Sequence, residues 1–468
     1  MSAIILHYIM LFKKNPSVIF RDYEHFGILV SYKHFAYGSN HHMPSTDTMI
    51  SPTGSIIYKQ LTDVYMSIEE ITSKVNMYYP DVEEDILKHD ILEFLLQLSS
   101  YNYVLVDMLP SSSILEQFPT EFSHSETTIN SVFENYGLQL PRLSSVHLEI
   151  ASKCNERCIH CYIPHEDKIS LITTSLFDKI LNECKTLNVL HFTITGGEPM
   201  LHPCFCDFLR KLRIENFAVS VLSNLTLLSD DIIQEMKLNP LLGVQTSVYS
   251  MNQDIHDSIT NVKGSLSKTL KAIEILKDND IPVQISCPIM KQNYDSHESV
   301  KQWGLMHNIA VNADYVIIGK YNSSTDNLAS RLSLDEIEGI HQNNKNIAPE
   351  NNKSLESYIC DVGGASICIS ELGLVYPCAG WQSCILGSAE NQTIANIWYN
   401  SDKLTKLRTL KRHQIAGCAE CPAFQFCEPC LVRNANESYT HNPLEKSEFF
   451  CEIAKMRKRN YAKYNQNK

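Results

Sequence analysis

Three patterns of apolar and polar positions succeed one another along the chain. In the first, Val18-Ile-Phe and Gly27-Ile-Leu-Val are short apolar runs bounded by polar residues, and they read as strands. Ser67 and Asp81 each stand three residues before a glutamate, Glu70 and Glu84, the capping-box spelling that opens a helix. Beyond Asp81, Ile86, Ile91, Phe94, Leu95 and Leu98 recur at helical spacing, and Tyr103-Val-Leu-Val106 returns as a strand. This order predicts a winged-helix-like α+β domain over residues 1–110. Ile4 to Phe12 reads as an early strand or helix, because it lacks the basic leader and small-residue cleavage site of a signal peptide. Residues 111–141 open with three serines, show few periodic runs and read as a linker with some helix.

The second pattern is a regular alternation. Strands are predicted at Val146–Ala151, Leu190–Thr195, Phe217–Ser223, Gly243–Tyr249, Pro282–Ile289 and Asp314–Ile318. Helices fall between them at Thr174–Leu187, Phe205–Ile214, Asp230–Lys237, Lys263–Lys277 and Asp295–Met306. Six βα units in series imply a parallel sheet with right-handed crossovers over residues 142–325. Ligand sites on such sheets collect at the carboxyl ends of the strands. From 326 to 468 the periodicity weakens and cysteines dominate, which marks a third domain.

The chemistry is concentrated directly after the first of these strands, in Cys154-x3-Cys158-x2-Cys161. Three thiolates on one short loop can hold three irons of a cubane cluster and leave the fourth open to a small molecule. Structural zinc is the alternative, but it favours paired knuckles with a fourth ligand, and none is evident near this loop. One unit later comes Thr195-Gly196-Gly197-Glu198-Pro199, where two glycines allow close backbone approach and Pro199 fixes the turn beyond.

The two motifs in this order resemble the radical S-adenosylmethionine (SAM) enzymes, whose fold is an open, partial (β/α)6 barrel. The resemblance implies that Cys154, Cys158 and Cys161 ligate a 4Fe–4S cluster whose open iron chelates SAM, with His160 against the adenine. It implies that Gly196, Gly197, Glu198 and Pro199 hold the SAM amino group, Glu198 also anchoring the loop. In Leu222-Ser-Asn224-Leu-Thr, leucine replaces the glycine of the family's Thr-Asn-Gly, so the likeness rests there on Asn224. Ser247 matches a position that contacts SAM, and His256-Asp257 with Gly264-Ser265 resembles the text that follows.

In the last third, Cys360, Gly373-x4-Cys378, Cys418-x2-Cys421-x5-Cys427-x2-Cys430 and Cys451 resemble the SPASM domain, which carries two auxiliary 4Fe–4S clusters. The family often has three residues between the last two cysteines of the quartet; here there are two, Glu428-Pro429. The implied ligation is interleaved: Cys418, Cys421, Cys427 and Cys451 for one cluster, Cys360, Cys378 and Cys430 for the other, completed by Cys368 or, alternatively, Cys384. A zinc ribbon on the quartet leaves Cys360, Cys378 and Cys451 unexplained. Cys184, Cys204, Cys206 and Cys287 read as small packed hydrophobes in barrel elements.

Charge changes the reading of the first domain. Residues 1–110 hold seven Lys/Arg against thirteen Asp/Glu, and the whole chain of 468 residues has a formal charge of −13, which disfavours nucleic acid. The basic run from Lys455 to Lys463 reads as a solvated helix face. Thr53-Gly-Ser-Ile-Ile-Tyr, the Ser67 helix start and Asp90 to Val106 instead resemble the leader-peptide recognition domain related to the peptide chaperone of pyrroloquinoline quinone synthesis. The 44% hydrophobic and 20% charged fractions are those of a soluble globular protein, and no apolar run reaches the ~20 residues of a membrane span. Sixteen cysteines without an export signal point to a reduced, cytoplasmic setting with thiols available to metal.

Together the resemblances imply a maturase that binds a ribosomally made precursor peptide by its leader and takes electrons from a flavodoxin or ferredoxin. A 5′-deoxyadenosyl radical then installs a thioether crosslink. The other readings are carbon–carbon crosslinking or epimerisation of the peptide, sulfatase maturation, and a non-catalytic iron–sulfur carrier or scaffold.

Overall fold

The computed structural model describes residues 10–23, 26–31, 47–108, 140–239, 241–342, 349 and 354–466. They form two compact units, the first ending at Met108 and the second starting at Leu140. The expected linker falls almost wholly outside the described residues.

The first unit runs β1 (Met10–Lys14), β2 (Val18–Asp22), β3 (Gly27–Ser31), β4 (Asp47–Ile50), α1 (Pro52–Gln60), β5 (Met66–Ser67), α2 (Ile68–Asn76), α3 (Glu84–Ser100) and β6 (Val104–Met108). Its strands make two antiparallel sheets, β5-β1-β6 and β2-β3-β4. Phe12, Leu29, Ile57, Tyr58, Ile71, Ile91 and Leu95 fill the core between sheets and helices. The Ser67 capping box is present in full: Ser67 Oγ accepts from the Glu70 amide, and Glu70 Oε2 accepts from the Ser67 amide. The Asp81 box is not. Pro80 and Asp81 occupy a turn closed by the Val82 amide on the Tyr79 carbonyl, and α3 starts at Glu84 with no side-chain cap. Its buried face is Leu87, Ile91, Leu95 and Leu98, while Ile86 points to solvent.

The second unit begins with β7 (Ser145–Ala151), α4 (Thr174–Thr186), β8 (His191–Gly196), α5 (Phe205–Ile214), β9 (Ala218–Leu222), α6 (Asp230–Leu238) and β10 (Gly243–Ser247). It continues through α7 (Gln253–Thr260), α8 (Ser265–Asp278), β11 (Val283–Pro288), α9 (His297–Met306), β12 (Ala310–Asp314) and α10 (Leu334–Gln342). Last come β13 (Ser366–Ile369), β14 (Leu374–Tyr376), β15 (Gly387–Ser388), α11 (Ile394–Asn400), α12 (Asp402–Arg408), α13 (Leu431–Glu437) and α14 (Glu448–Gln466).

Strands β7 to β12 pair in parallel and in sequence order, the open six-unit arrangement expected. Two details differ from expectation. The sixth strand ends at Asp314 instead of starting there, because Tyr315 and Ile317 leave the sheet to enter apolar clusters with Ile337 and with Tyr249. The fourth expected helix is present as α8, but a helix that was not expected, α7, precedes it, the two divided where Asn261 and Gly264 adopt left-handed backbone.

The cysteine-rich region does not fold apart from the barrel. β13 pairs in parallel with the outer edge of β7, and β14 and β15 extend the same sheet to nine strands. Ile367, Ile369, Val375, Ile394 and Trp398 join the barrel core, and the Trp398 indole donates to the Pro141 carbonyl at 2.7 Å. One face of β7 buries Val146, Leu148 and Ile150 in that core, which leaves His147 and Glu149 on the opposite, concave face.

Candidate active site

The cysteine loop leaves β7 through an irregularity in its pairing. Register with β8 shifts between Glu149 and Ala151, and a bulge there re-aims the chain just before Cys154. Backbone then meets backbone: the Gly197 amide donates to the Ala151 carbonyl at 2.6 Å and the Glu198 amide to the Lys153 carbonyl at 2.9 Å. A Cβ on Gly196, whose φ is +131°, would stand 1.9 Å from the Ala151 carbonyl oxygen, and one on Gly197 2.2 Å from that of Ser152. Only glycine fits either place.

Glu198 is fully buried and ties three strand ends together. Oε1 accepts from the Met200 amide at 3.0 Å and the Ser223 hydroxyl at 2.8 Å, and Oε2 accepts from the Asn224 amide at 2.8 Å. Burial pushes its carboxyl up to about 7, against those three hydrogen bonds. Asn224 passes the link on, its Nδ2 donating to Asn155 Oδ1 at 2.8 Å inside the cysteine loop. Leu225, where the family has glycine, keeps the left-handed backbone at φ +62° and is buried. A branched residue there is strained, so the turn is over-determined by the contacts around it.

Cys154, Cys158 and Cys161 line a cavity of about 220 Å³ together with Gly196, Gly197, Asn224 and Ser247. Glu198 and Pro199 act from behind the wall, and His160 lies edge-on to Tyr249 with ring centroids 5.1 Å apart. Burial holds the His160 imidazole down at about 4, hence neutral. Further residues reach the cavity that were not expected as site residues, among them Glu156, Tyr162, Lys168 and Tyr249. Lys168 is only 3% exposed. Tyr162 carried a signal of its own, since it directly follows Cys161; Lys168 sits in an irregular loop and carried none.

The donor set fits a cluster. Burial pushes the Cys154 thiol up to about 11 and Cys158 well above the usual thiol range, with Glu156 beside Cys158 adding to the effect. Bare Cys154 and Cys158 are therefore protonated at neutral pH, and a bound metal would displace those protons. Three sulfurs converge on one cavity wall, and Gly196 and Gly197 leave backbone open beside them.

The later cysteines gather in two groups that cut across sequence order. Cys427 has Cys418 and Cys451 as its charged neighbours, and Cys421 joins them. Cys430, three residues on from Cys427, lies instead with Cys360 and Cys378. Cys368 is buried on β13 next to Cys378 and, on the concave face of the sheet, within 4.8 Å of ligand atoms of His147 and Glu149. Cys384 has Lys403 as its charged neighbour rather than another thiol. Cys184 and Cys287 are buried in α4 and β11, whereas Cys204 precedes α5 and Cys206 lies within it, both half-buried.

Comparison with known proteins agrees with this layout. The radical SAM superfamily model matches residues 148–303, and the SPASM iron–sulfur cluster-binding model matches 360–422. The antilisterial bacteriocin subtilosin biosynthesis protein AlbA of Bacillus subtilis is 24% identical over 360 residues, 72% of this chain and 77% of AlbA. The AdoMet-dependent heme synthase of Methanosarcina barkeri is 23% identical over 63% of this chain and 92% of its own. The crystal structure of Streptococcus suis SuiB bound to precursor peptide SuiA superposes with a TM-score of 0.54 at 14% identity, covering 94% of this chain and all of SuiB. No helix among the described residues is long and apolar enough to cross a membrane. With its cysteine loop, glycine cradle and two grouped cysteine sets in place, the chain carries a radical SAM domain and a SPASM iron–sulfur cluster-binding domain, and the two domains imply SAM and 4Fe–4S clusters as its cofactors.

Proposed function

We propose that the chain is a maturase of a ribosomally synthesised precursor peptide and that it installs a sulfur-to-carbon thioether crosslink. The observation that carries this reading is the order of modules: a small α+β unit with sheet edges, then the SAM site, then two cysteine groups. In the proposed layout residues 1–110 recognise the leader, 111–141 link, 142–325 form the SAM barrel and 326–468 the auxiliary iron–sulfur domain. SuiB, whose fold extends over the first unit as well, is bound to a precursor peptide in its crystal structure, and AlbA takes its name from bacteriocin biosynthesis. The heme synthase relative makes clear that the barrel and its clusters alone do not choose the substrate.

A leader can add as a strand to the outer edge of β2 or β4, main-chain bonds giving affinity and side-chain pockets giving choice. Cys154, Cys158 and Cys161 hold the SAM-binding cluster; Cys418, Cys421, Cys427 and Cys451 hold one auxiliary cluster; Cys360, Cys368, Cys378 and Cys430 hold the other. When bound, the first cluster would supply the one electron that cleaves SAM into methionine and the 5′-deoxyadenosyl group that takes a hydrogen from peptide carbon. The chain's own part is positional. Glu198 and Asn224 fix the strand ends around SAM, Ser247 lines its site, and His160 packs against Tyr249 of the cavity wall.

The test is anaerobic reconstitution with dithionite and a co-expressed small open reading frame from neighbouring DNA. Iron near ~12 per chain, 5′-deoxyadenosine formation and loss of two hydrogens per ring with thiols consumed are the expected results. Cys158→Ala should abolish SAM cleavage while auxiliary iron stays. Unchanged mass with inverted stereochemistry would replace crosslinking by epimerisation, and iron without any 5′-deoxyadenosine would leave a non-catalytic carrier.

A further inference from the structure

Helix α14 divides sharply by face. Ile453, Ala454 and Met456 are buried, the first and last in the cluster of Ile289, Leu332 and Ile337. Lys455, Lys458, Arg459 and Lys463 are exposed, and at helical spacing they continue a line that starts at Cys451. Five Lys/Arg stand against two glutamates on this helix, in a chain whose formal net charge is −13.

The line begins at a cysteine group that lies near the surface. Ala416, Gly417, Ala419, Glu420 and Pro422, around Cys418 and Cys421, are all exposed. Lys458 Nζ donates to the Pro422 carbonyl at 2.9 Å, which fixes the helix to that loop. Part of the nearby positive charge serves the cluster site itself: Arg412 is buried beside Cys418 and Cys427, and Lys446 stands beside Cys418 and Cys451. Lys446 and Lys455 are also paired, with Glu448 at 3.0 Å and Glu452 at 2.6 Å, and Arg457 approaches Glu428 at 3.6 Å.

Cluster charge does not explain the far end of the line. Lys463 is twelve residues past Cys451, about 18 Å along the axis at 1.5 Å per residue. That exceeds the ~8 Å screening length at physiological salt. Insertion into a membrane is also excluded as a use, since the apolar face of the helix is already buried in the protein.

We propose that this cationic line is the docking surface for a small acidic electron-transfer protein of the flavodoxin class, which reduces the cluster held by Cys418, Cys421, Cys427 and Cys451. In each encounter the partner's reduced flavin is oxidised by one electron and the cluster is reduced by one, with no bond made or broken in this chain. Complementary charge raises the encounter rate and orients the partner, and the effect falls with salt. The inference rests on the cluster assignment under the proposed function, but its binding test does not depend on turnover.

The test compares the reconstituted protein with Lys455→Glu/Arg459→Glu/Lys463→Glu, and with a control, Lys263→Glu/Lys268→Glu/Lys271→Glu, whose exposed residues lie on or just before α8. Purified flavodoxin is the probe, titrated by calorimetry at low and high salt and mixed in its reduced form in a stopped-flow spectrometer. The α14 variant is expected to lose roughly tenfold or more in affinity and in cluster reduction rate at low salt, with the salt dependence flattened and the control unaffected. Iron content and dithionite-driven SAM cleavage should stay unchanged in both. Equal affinity in the α14 variant, an equal loss in the control, or binding to phosphatidylglycerol vesicles without binding to flavodoxin would each overturn the proposal. If wild-type protein binds flavodoxin but makes no 5′-deoxyadenosine with dithionite, the catalytic reading fails and the docking surface stands.

Discussion

Gln382 Nε2 donates a 2.7 Å hydrogen bond to Glu149 Oε2, joining positions 233 residues apart. The other carboxylate oxygen accepts from the Tyr162 hydroxyl at 3.2 Å, and Tyr162 directly follows Cys161. Glu149 thus links the SAM loop to the cysteine-rich region through the concave face of the sheet. Replacing Gln382 by Glu sets two carboxyls against each other in a buried place, with an expected loss of about 2 kcal/mol or more in stability. The swapped pair, Glu149→Gln with Gln382→Glu, restores one donor opposite one acceptor and should recover most of that loss. Thermal melting of the three proteins decides it: no recovery in the double variant would mean that the two side chains do not act as a pair.

Lys168 is a nearly fully buried cation on the wall of the SAM cavity, and a buried ammonium is costly unless it meets an anion. The carboxylate of SAM is the anion whose binding it is placed to favour. Lys168→Met keeps the apolar stem and removes the charge. SAM affinity, measured by equilibrium dialysis on the reconstituted protein, should weaken about tenfold or more, with iron content unchanged. Lost iron at unchanged SAM affinity would instead make Lys168 a counter-charge for the cluster.

The fourth ligand of the Cys360, Cys378 and Cys430 group is settled by paired substitutions. Cys368 lies beside Cys378, whereas Cys384 is turned toward Lys403. Cys384→Ser should retain ~12 irons per chain, and Cys368→Ser should lose iron or change the resonance of one auxiliary cluster only. The reverse pattern exchanges the two assignments.

What could be read from the sequence followed the range of the interactions. Phe205–Ile214 is predicted to the residue because its apolar spacing and flanking polar residues are local. The cysteine loop and Gly196-Gly197 were legible because their chemistry demands fixed spacing. Asp81 misled because a capping box and a Pro-Asp turn share the same letters, and the turn prevails once Pro80 holds its backbone angle. Strands β13 to β15 are two to four residues long; β13 gains its place by pairing with β7, more than two hundred residues earlier, and β14 and β15 pair on from it, so no window of sequence contains the signal. Glu149, Gln382 and Lys168 are single polar residues, and only the fold makes them neighbours of the site.

One pH response follows from a chain of three residues behind α14. Arg457 donates to the Tyr315 hydroxyl at 3.0 Å, and that hydroxyl shares a 2.9 Å hydrogen bond with His341 Nε2. Burial, with the Arg457 charge, holds the His341 imidazole down at about 4. Unfolded histidine takes up its proton near 6.5, so the unfolded state binds more protons between those values and stability falls as pH drops from 6.5 toward 4. Above 6.5 the contribution is fully present. His341→Phe sacrifices the hydrogen bond at every pH but removes this slope. The difference in melting temperature between wild type and variant should therefore hold constant from pH 7.5 to about 6.5 and narrow from there to pH 5. A difference that stays constant over that range would mean that His341 titrates normally, and that the Arg457–Tyr315–His341 chain does not hold the base of α14 in one protonation state.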